Sequence, residues 1–191
     1  MKRMYTIADL NPMTYDEYAT AVSAVTSRLR MYCIEQNMKF DIIVPILRSG
    51  AIPAAIIAHN LDIQHFLPIQ VYHDGDGIKE FFSMPTMLEP GAGDPSILIC
   101  DNNTARGSVA RRTIELVKGQ FPRSRLYYST VVKVYGGPDS YEGVEKYIYG
   151  IQSDELGLAD PQSVADRIVR RGITLFPWED AMAELAAISR T

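Results

Sequence analysis

The sequence is built around residues 96–110, which read Ser-Ile-Leu-Ile-Cys-Asp-Asn-Asn-Thr-Ala-Arg-Gly-Ser-Val-Ala. The four apolar residues at 97–100 form a short continuous run, which predicts a strand buried on both faces and closed by Asp101. From Ser108 onward, apolar residues recur at helical spacing up to Gly119. The stretch therefore predicts a strand, a tight loop and a helix.

A loop of this kind favours a bound phosphate. It aims several backbone N–H groups at one point, and the helix N-terminus adds about half a positive elementary charge. Asp101 would stand at the carboxyl end of the strand, where open α/β sheets bind ligands and where it could accept hydrogen bonds from sugar hydroxyls. The residues alone are equally compatible with an ordinary strand-loop-helix turn that carries a surface acid. The single glycine excludes a Walker loop and a Gly-x-Gly-x-x-Gly fingerprint.

Composition limits the classes of protein to consider. The 191 residues predict one α/β domain over residues 1–191, and the 47% of apolar residues are enough for a sizeable core. The net charge of −4 argues against a nucleic-acid-binding protein. The sequence contains no apolar run of about 18 residues and no signal-peptide pattern, so we expect a cytoplasmic protein with no membrane partner. Cys33 and Cys100 are predicted to be reduced core thiols, without zinc-ligand spacing to the histidines.

A second strand-loop-helix unit precedes the first. Residues 41–47 predict a buried strand, residues 48–50 (Arg-Ser-Gly) a small polar loop, and residues 51–60 a helix with Pro53 in its first turn. The residues alone leave open whether this is a simple turn or a second anion-binding loop.

The rest of the chain predicts the elements that surround these two units. The expected helices are 15–37, about 161–171 with Gly172 after it, and an Ala-rich helix that ends near Ile188; the expected strands are 61–71, 126–134 and 145–150. Residues 72–95 form a long segment without periodicity. The best candidate for a functional cation in this segment is Lys79. The alternative interpretation is a solvated loop lysine without a role in binding. Lys133, near the end of a strand, is a candidate ligand for a carbonyl oxygen or a lysine that reaches water from the sheet.

The stretch at 96–110 resembles the phosphoribosyl-pyrophosphate (PRPP) motif of the type I phosphoribosyltransferases. That motif has four apolar residues, two acids, two variable residues and then Asp/Ala/Thr-Thr-Gly-x-Thr. Asp101 matches the first acid, and Gly107 matches the loop glycine. Asn102 replaces the second acid, and Ala105 stands where the purine enzymes have Asp.

Other segments resemble the same family in the same order, over about residues 15–180. The loop Arg48-Ser49-Gly50 resembles the pyrophosphate loop, and residues 72–95 correspond to the mobile hood that closes over the site. Lys133 corresponds to the lysine that reads the purine 6-oxygen. The ending Phe-Pro-Trp-Glu-Asp at 176–180 resembles that of the xanthine-guanine enzymes. A helical insertion at about 156–172 departs from the small purine enzymes.

The resemblance implies a central, mostly parallel sheet with helices on both faces and a purine-type activity. PRPP and a nucleobase, most suitably a 6-oxopurine, would react with Mg²⁺ as cofactor and release pyrophosphate, as in nucleotide salvage. A homo-oligomer, dimer or tetramer, is also implied. The implied roles are catalysis by Asp101, Asn102 and Lys79; metal binding by Asp101; phosphate binding by Thr104, Ala105, Arg106, Gly107, Ser108, Val109, Arg48, Ser49 and Gly50; and base binding by Lys133, Phe176 and Trp178.

The departures at Asn102 and Ala105 leave three functions open. The first is an active phosphoribosyltransferase, since alanine also occurs at this loop position in uracil and some orotate enzymes. The second is a protein of the same fold that binds PRPP or a nucleotide in a regulatory role without turnover. The third is an unrelated sugar-phosphate enzyme. The missing carboxylates could also be replaced by acids from the hood or the insertion.

Overall fold

A computed structural model describes residues 5–73, 77–82, 94–166 and 168–190. Its α-helices are α1 (Tyr15–Glu35), α2 (Ala51–Leu61), α3 (Ser108–Gln120), α4 (Pro161–Ala165) and α5 (Ala181–Arg190). Its strands are β1 (Leu10–Pro12), β2 (Ile42–Pro45), β3 (His65–Phe66), β4 (Gln70–His73), β5 (Ile78–Phe82), β6 (Ser96–Thr104), β7 (Arg125–Val134), β8 (Val144–Asp154), β9 (Val169–Arg171) and β10 (Ile173–Leu175). Within these ranges, no helix has the length and apolar character needed to cross a membrane.

The central sheet has six parallel strands in the order β3-β2-β6-β7-β8-β9. Its inner strands are continuous apolar runs because helices cover both of their faces. All of β2 and the first five residues of β6 are buried. The predicted α/β architecture with a mostly parallel sheet is thus confirmed.

Helices cover the sheet from opposite sides. α1 and α2 pack on one face, where Leu29 and Ile57 meet Leu98 of β6. α3 packs on the other face, where Ile114 meets Ile99. Leu98 and Ile99 are neighbours in sequence, and side chains alternate across a strand, so the two faces of β6 hold the two layers of the core.

The strand order reverses direction between β2 and β6. From β2 the chain crosses through α2 to β3 on one side, and from β6 it crosses through α3 to β7 on the other side. The carboxyl ends of β2 and β6 therefore lead into helices on opposite faces and leave a crevice between them. Open α/β sheets bind their ligands at such a switch point.

The predicted strand over 61–71 is wrong. α2 continues through Leu61, which packs against the core beside α1, and Asp62 ends the helix in the left-handed conformation (φ 55°). The chain then forms the short β3, a single bridge between Ile69 and Ile46, and β4. β4 pairs with β5 in an antiparallel ribbon. The other parts of the expected hood, at 74–76 and 83–93, lie outside the described residues.

The predicted helix over 161–171 is also wrong. It ends at Ala165, and Val169 begins β9, which pairs in parallel with the end of β8. Val169 is buried there. The apolar spacing of Val164, Ile168 and Val169 fits one helical face, but the free edge of β8 offers backbone hydrogen bonds that an extended segment satisfies.

Candidate functional site

Two helix N-termini lie at the crevice between β2 and β6. α2 follows Gly50 and α3 follows Gly107, and in the described part of the chain neither helix has a hydrogen-bonded capping side chain. The first N–H groups of α3 are therefore available to an anion. At α2 they are not, because the N–H groups at residues 50–52 donate to the backbone carbonyl oxygens of residues 46, 48 and 49, and Pro53 has no N–H. The two predicted phosphate-binding loops nevertheless lie together at one edge of the sheet.

Glycine is required at both loops, for different reasons. A Cβ on Gly50 would lie 2.4 Å from the carbonyl oxygen of Ile46 and 2.7 Å from that of Cys100, so only glycine lets this loop approach β6. Gly107 has φ 72°, and a Cβ there would lie 2.6 Å from the hydroxyl oxygen of Tyr141. The loop before α3 thus rests on the Tyr141 side chain.

Asp101 lies in the strand rather than at its end, because β6 continues for three more residues to Thr104. Its carboxylate accepts hydrogen bonds from the Asn102 N–H (2.7 Å) and the Tyr128 hydroxyl (3.1 Å). Burial raises the pKa of Asp101 to about 6, although these two hydrogen bonds act in the opposite direction. The group is therefore mostly ionised at neutral pH and positioned to accept hydrogen bonds from a ligand.

Asn102 points away from the crevice. Its side chain is 1% exposed, and its Oδ1 accepts a hydrogen bond from the Tyr18 hydroxyl on α1 (3.0 Å). The predicted catalytic role of Asn102 remains a prediction, and the contact in this structure is one between the sheet and α1.

The rest of the loop combines buried anchors with an exposed cation. The Thr104 hydroxyl lies 2.7 Å from that of Tyr128, and Val109 packs on the core. Arg106 is exposed, and its carbonyl oxygen accepts a hydrogen bond from Arg111. The remaining predicted members of this loop, Ala105 and Ser108, are partly buried.

The loop before α2 presents Arg48 to solvent, with Ser49 partly buried beside it. The peptide bond between Leu47 and Arg48 is cis. Lys79 is exposed on β5. The ribbon that carries Lys79 is tied to α3 by an ion pair between Glu80 and Arg112 (2.6 Å).

Lys133 lies at the carboxyl end of β7, paired in register with Thr104 of β6 and Gln152 of β8. Its side chain is 3% exposed and forms an ion pair with Asp139, whose side chain is 89% exposed. The ammonium also lies 5.2 Å from the centre of the Tyr149 ring. The Lys133 ammonium is buried, whereas its partner Asp139 is exposed to water. This arrangement suits a lysine that exchanges Asp139 for a ligand when the ligand binds.

Phe176 and Trp178 form a stacked pair, with ring centres 5.4 Å apart. The Tyr18 ring packs edge-on against both. Phe176 is buried with Met13 and Val131, whereas Trp178 is partly buried at the rim of that cluster. The structure gives both rings packing contacts, and their binding of a base remains a prediction.

A contact between β6 and the residue after β8 was missed from the sequence. Asn103 Nδ2 donates to Glu155 Oε1 (3.2 Å), and the Ser153 hydroxyl donates to the same oxygen (3.3 Å). Burial raises the pKa of Glu155, while its hydrogen bonds, including one from the Thr174 backbone, lower it. One sequence signal could have pointed to Glu155: it directly follows a strand of the parallel sheet, just as Asp101 directly follows its apolar run.

Two further acids lie close to Glu155. Burial, together with repulsion from Glu184 and Glu155, raises the pKa of Glu179 to about 7. The Phe176 N–H donates to Glu179 at 2.8 Å. Burial also raises the pKa of Glu184. The edge of the sheet beyond β8 is thus acidic and partly shielded from water.

Asp101 is the residue of the crevice that is predicted to bind a metal ion. In residues 5–73, 77–82, 94–166 and 168–190, no group of three or more His, Cys, Asp or Glu side chains could hold a metal ion. Magnesium in phosphate-transfer sites is commonly held by one or two carboxylates together with substrate oxygens. A single carboxylate beside the two predicted anion-binding loops fits that arrangement.

Known proteins share this fold and part of this sequence. No protein-family model matches the chain. A xanthine-guanine phosphoribosyltransferase of Roseobacter denitrificans is 32% identical over 119 residues, which are 59% of this chain and 62% of that protein. The chain thus matches less than two thirds of this relative's length.

Two solved structures have the same fold over nearly their whole length. A purine phosphoribosyltransferase of Pyrococcus horikoshii has a TM-score of 0.61 at 21% identity, covering 90% of this chain and 95% of that one. The xanthine-guanine-hypoxanthine phosphoribosyltransferase of Helicobacter pylori has a TM-score of 0.60 at 11% identity, covering 93% and 98%. The chain therefore has the type I phosphoribosyltransferase fold, and its similarities lie with the purine members of that family.

Proposed function

We propose that the protein is a phosphoribosyltransferase that transfers the 5-phosphoribosyl group from PRPP to a nucleobase, a 6-oxopurine, and releases pyrophosphate. The observation that carries the proposal is the open N-terminus of α3 at the switch point, with Asp101 on β6 and the 48–50 loop packed against β6 beside it. PRPP has two anionic groups joined by a ribose. Two anion sites flanking a carboxylate match that pattern of charge.

Each anion of PRPP has its own loop in this proposal. The N–H groups at residues 104–109 bind the 5′-phosphate, and Arg106 adds a positive charge beside them. Residues 48–50 bind pyrophosphate through the Arg48 guanidinium and the N–H groups of Arg48 and Ser49, since the Gly50 N–H donates to the Ile46 carbonyl oxygen. Asp101 accepts hydrogen bonds from the ribose hydroxyls between them.

In this reaction the protein positions the base, the ribose and the pyrophosphate, and it forms no covalent bond with any of them. Displacement at C1 of the ribose passes through a transition state that resembles an oxocarbenium ion, so orientation of the base and stabilisation of the departing pyrophosphate lower the barrier. Mg²⁺ held by Asp101 and pyrophosphate oxygens would neutralise the charge on the leaving group. Lys79, on the ribbon that α3 supports, is the side chain proposed to complete the site over the pyrophosphate.

The test is pyrophosphate release from PRPP and Mg²⁺, measured with guanine, xanthine, hypoxanthine, adenine, uracil and orotate in turn. We expect release with a 6-oxopurine from the natural chain and a rate lower by about 100-fold or more from Asp101→Ala. Calorimetric titration with PRPP runs in parallel. Binding without release for any base would replace the proposed enzyme by a regulatory PRPP-binding protein, and the absence of both would overturn the proposal.

A further inference from the structure

Asn103 and Glu155 lie on the side of Asp101 where an incoming base must approach. This inference rests on the proposed function. Displacement at C1 brings the base in opposite to the departing pyrophosphate, whose loop follows β2 on one side of β6. The base therefore lies over β7 and β8, on the other side, beyond the carboxyl ends of those strands.

Three polar side chains stand at that edge. Lys133 is the next-to-last residue of β7, and Asn103 is paired in register with Val132, one residue before it. Glu155 follows β8 directly and is joined to Asn103 across β7 at 3.2 Å. The contact places an amide and a carboxylate side by side in the region that also holds the buried ammonium group.

The pair has unused capacity to accept hydrogen bonds. Asn103 Oδ1 is buried and has no hydrogen-bond partner among the described residues. Because a buried carbonyl without a partner costs free energy, such groups in native proteins usually await a ligand or water. A carboxylate has about four acceptor positions, and Glu155 receives hydrogen bonds from Asn103, Ser153 and the Thr174 backbone.

We propose that Asn103 and Glu155 are specificity-determining residues that accept hydrogen bonds from the N–H groups of the base, and that they select guanine. Lys133 donates to a carbonyl oxygen, whereas Asn103 Oδ1 and Glu155 accept. Guanine presents a 6-oxygen next to N1–H and a 2-amino group. Hypoxanthine lacks the amino group, and xanthine turns a carbonyl oxygen toward the acceptors, so the order is guanine, then hypoxanthine, then xanthine.

The neighbouring acid Glu184 does not make the contact that Glu155 makes with Asn103 in the described residues. Glu184 lies near enough to Glu179 to raise its pKa, but no hydrogen bond joins Glu184 to Asn103 in the described residues. Glu184→Gln therefore makes the same chemical change as Glu155→Gln in the same acidic region. It serves as the matched control.

The experiment measures two ratios. The first is kcat/KM for guanine over xanthine in pyrophosphate release, and the second is the Kd ratio of GMP and XMP by calorimetry, which needs no turnover. We expect Glu155→Gln to lower the guanine-to-xanthine ratio at least tenfold in both, because the new amide can donate to the xanthine 2-oxygen. The Kd for PRPP and the ratios of Glu184→Gln should remain those of the natural chain.

The outcomes separate this inference from the proposed function. Unchanged ratios in Glu155→Gln, with pyrophosphate still released, overturn the inference alone. A natural chain that binds neither PRPP nor any of the nucleotides overturns both. Asn103→Ala is the second variant if Glu155→Gln does not fold, and we expect it to reduce the preference of GMP over IMP at least fivefold; no reduction contradicts the inference.

Discussion

The two sides of the crevice are built in different ways. On the proposed phosphoribosyl side, glycines at 50 and 107 shape the two loops, and the backbone N–H groups at the start of α3 are open to an anion. On the proposed base side, the polar groups are the side chains of Asn103 on β6, Lys133 on β7 and Glu155 directly after β8. Backbone geometry forms the first half, and the identity of individual side chains forms the second.

This difference explains where the chain departs from its relatives' pattern. A helix N-terminus binds a phosphate whatever the neighbouring side chains are, provided that the glycine is retained. Substitutions such as Ala105 leave that backbone in place. On the base side, each substitution changes which edge of a base is accepted. We therefore expect the phosphoribosyl half to be sensitive to glycine and charge, and the base half to be sensitive to hydrogen-bond polarity.

The largest effect should come from Asp101→Ala. Asp101 is the carboxylate between the two loops, and its loss removes both the ribose contact and the proposed metal ligand. We expect kcat/KM to fall about 100- to 1000-fold and the Kd for PRPP to rise by at least tenfold, measured by pyrophosphate release and calorimetry. Asp16→Ala, an exposed acid on α1, is the control. Equal behaviour of the two variants would remove Asp101 from the site.

Gly107→Ala should have the next largest effect and tests the backbone half directly. The methyl group meets the Tyr141 hydroxyl and a φ of 72°, so the loop must move. We expect a 10- to 100-fold weaker Kd for PRPP and a loss of about 1–2 kcal/mol of stability. Gly119→Ala is the matched control in the same helix, where a Cβ would meet no atom within 4 Å. It should stabilise α3 by about 0.5–1 kcal/mol and leave PRPP binding intact.

Lys133→Met should separate the two halves. Methionine keeps most of the side-chain volume, and Asp139 loses its partner at little cost because its side chain is 89% exposed. We expect the KM for a 6-oxopurine to rise about tenfold and the Kd for PRPP to stay within twofold. Asp139→Asn, which leaves the lysine in place, should not raise the KM. A parallel loss of PRPP binding in Lys133→Met would mean that the halves are not independent.

The sequence predicts the β6-loop-α3 unit well because that unit is local. The β6-loop-α3 unit occupies 25 consecutive residues, from Ser96 to Gln120, and the switch from an apolar run to helical spacing is visible within them. Local signals also place the start of α1, where Thr14 caps the helix and accepts from the Glu17 N–H.

The base half could not be predicted from local patterns. Asn103 and Glu155 are 52 residues apart, and they meet only because β6 and β8 flank β7. The segment after β8 shows the same limit, since Val164, Ile168 and Val169 have helical spacing, yet β9 pairs with the open edge of β8. Hydrogen bonds to β8 determine the secondary structure of that segment. The intrinsic propensities of its own residues carry no information about the free edge of a distant strand.

The smallest expected effect is a pH-dependent change in stability from Glu179→Gln. The pKa of Glu179 is about 7 in the folded chain because of burial, above its ordinary value near 4.5. The ionised carboxylate thus weakens the fold, and this cost grows as the pH rises from 4.5 to about 7. Below pH 4.5 the group is mostly protonated in both states and the cost is absent. Glu179→Gln should therefore stabilise the fold by about 1 kcal/mol at pH 8 and have almost no effect at about pH 4, by urea unfolding.

Substitution of Asp160 should change stability at pH 8 in the opposite direction to Glu179→Gln. Asp160 caps α4, and its carboxylate accepts a hydrogen bond from the Ser163 N–H. Its side-chain and backbone hydrogen bonds lower the pKa of Asp160, so its contribution is present at pH 8 and is lost as the pH falls through that lowered value. Asp160→Asn should therefore lose stability only at the higher pH. Glu179→Gln could instead lose stability at pH 8, as Asp160→Asn is expected to do. The acidic edge beside Glu155 would then not be shielded from water. The base half would be open to solvent in the region where we infer selective hydrogen bonding.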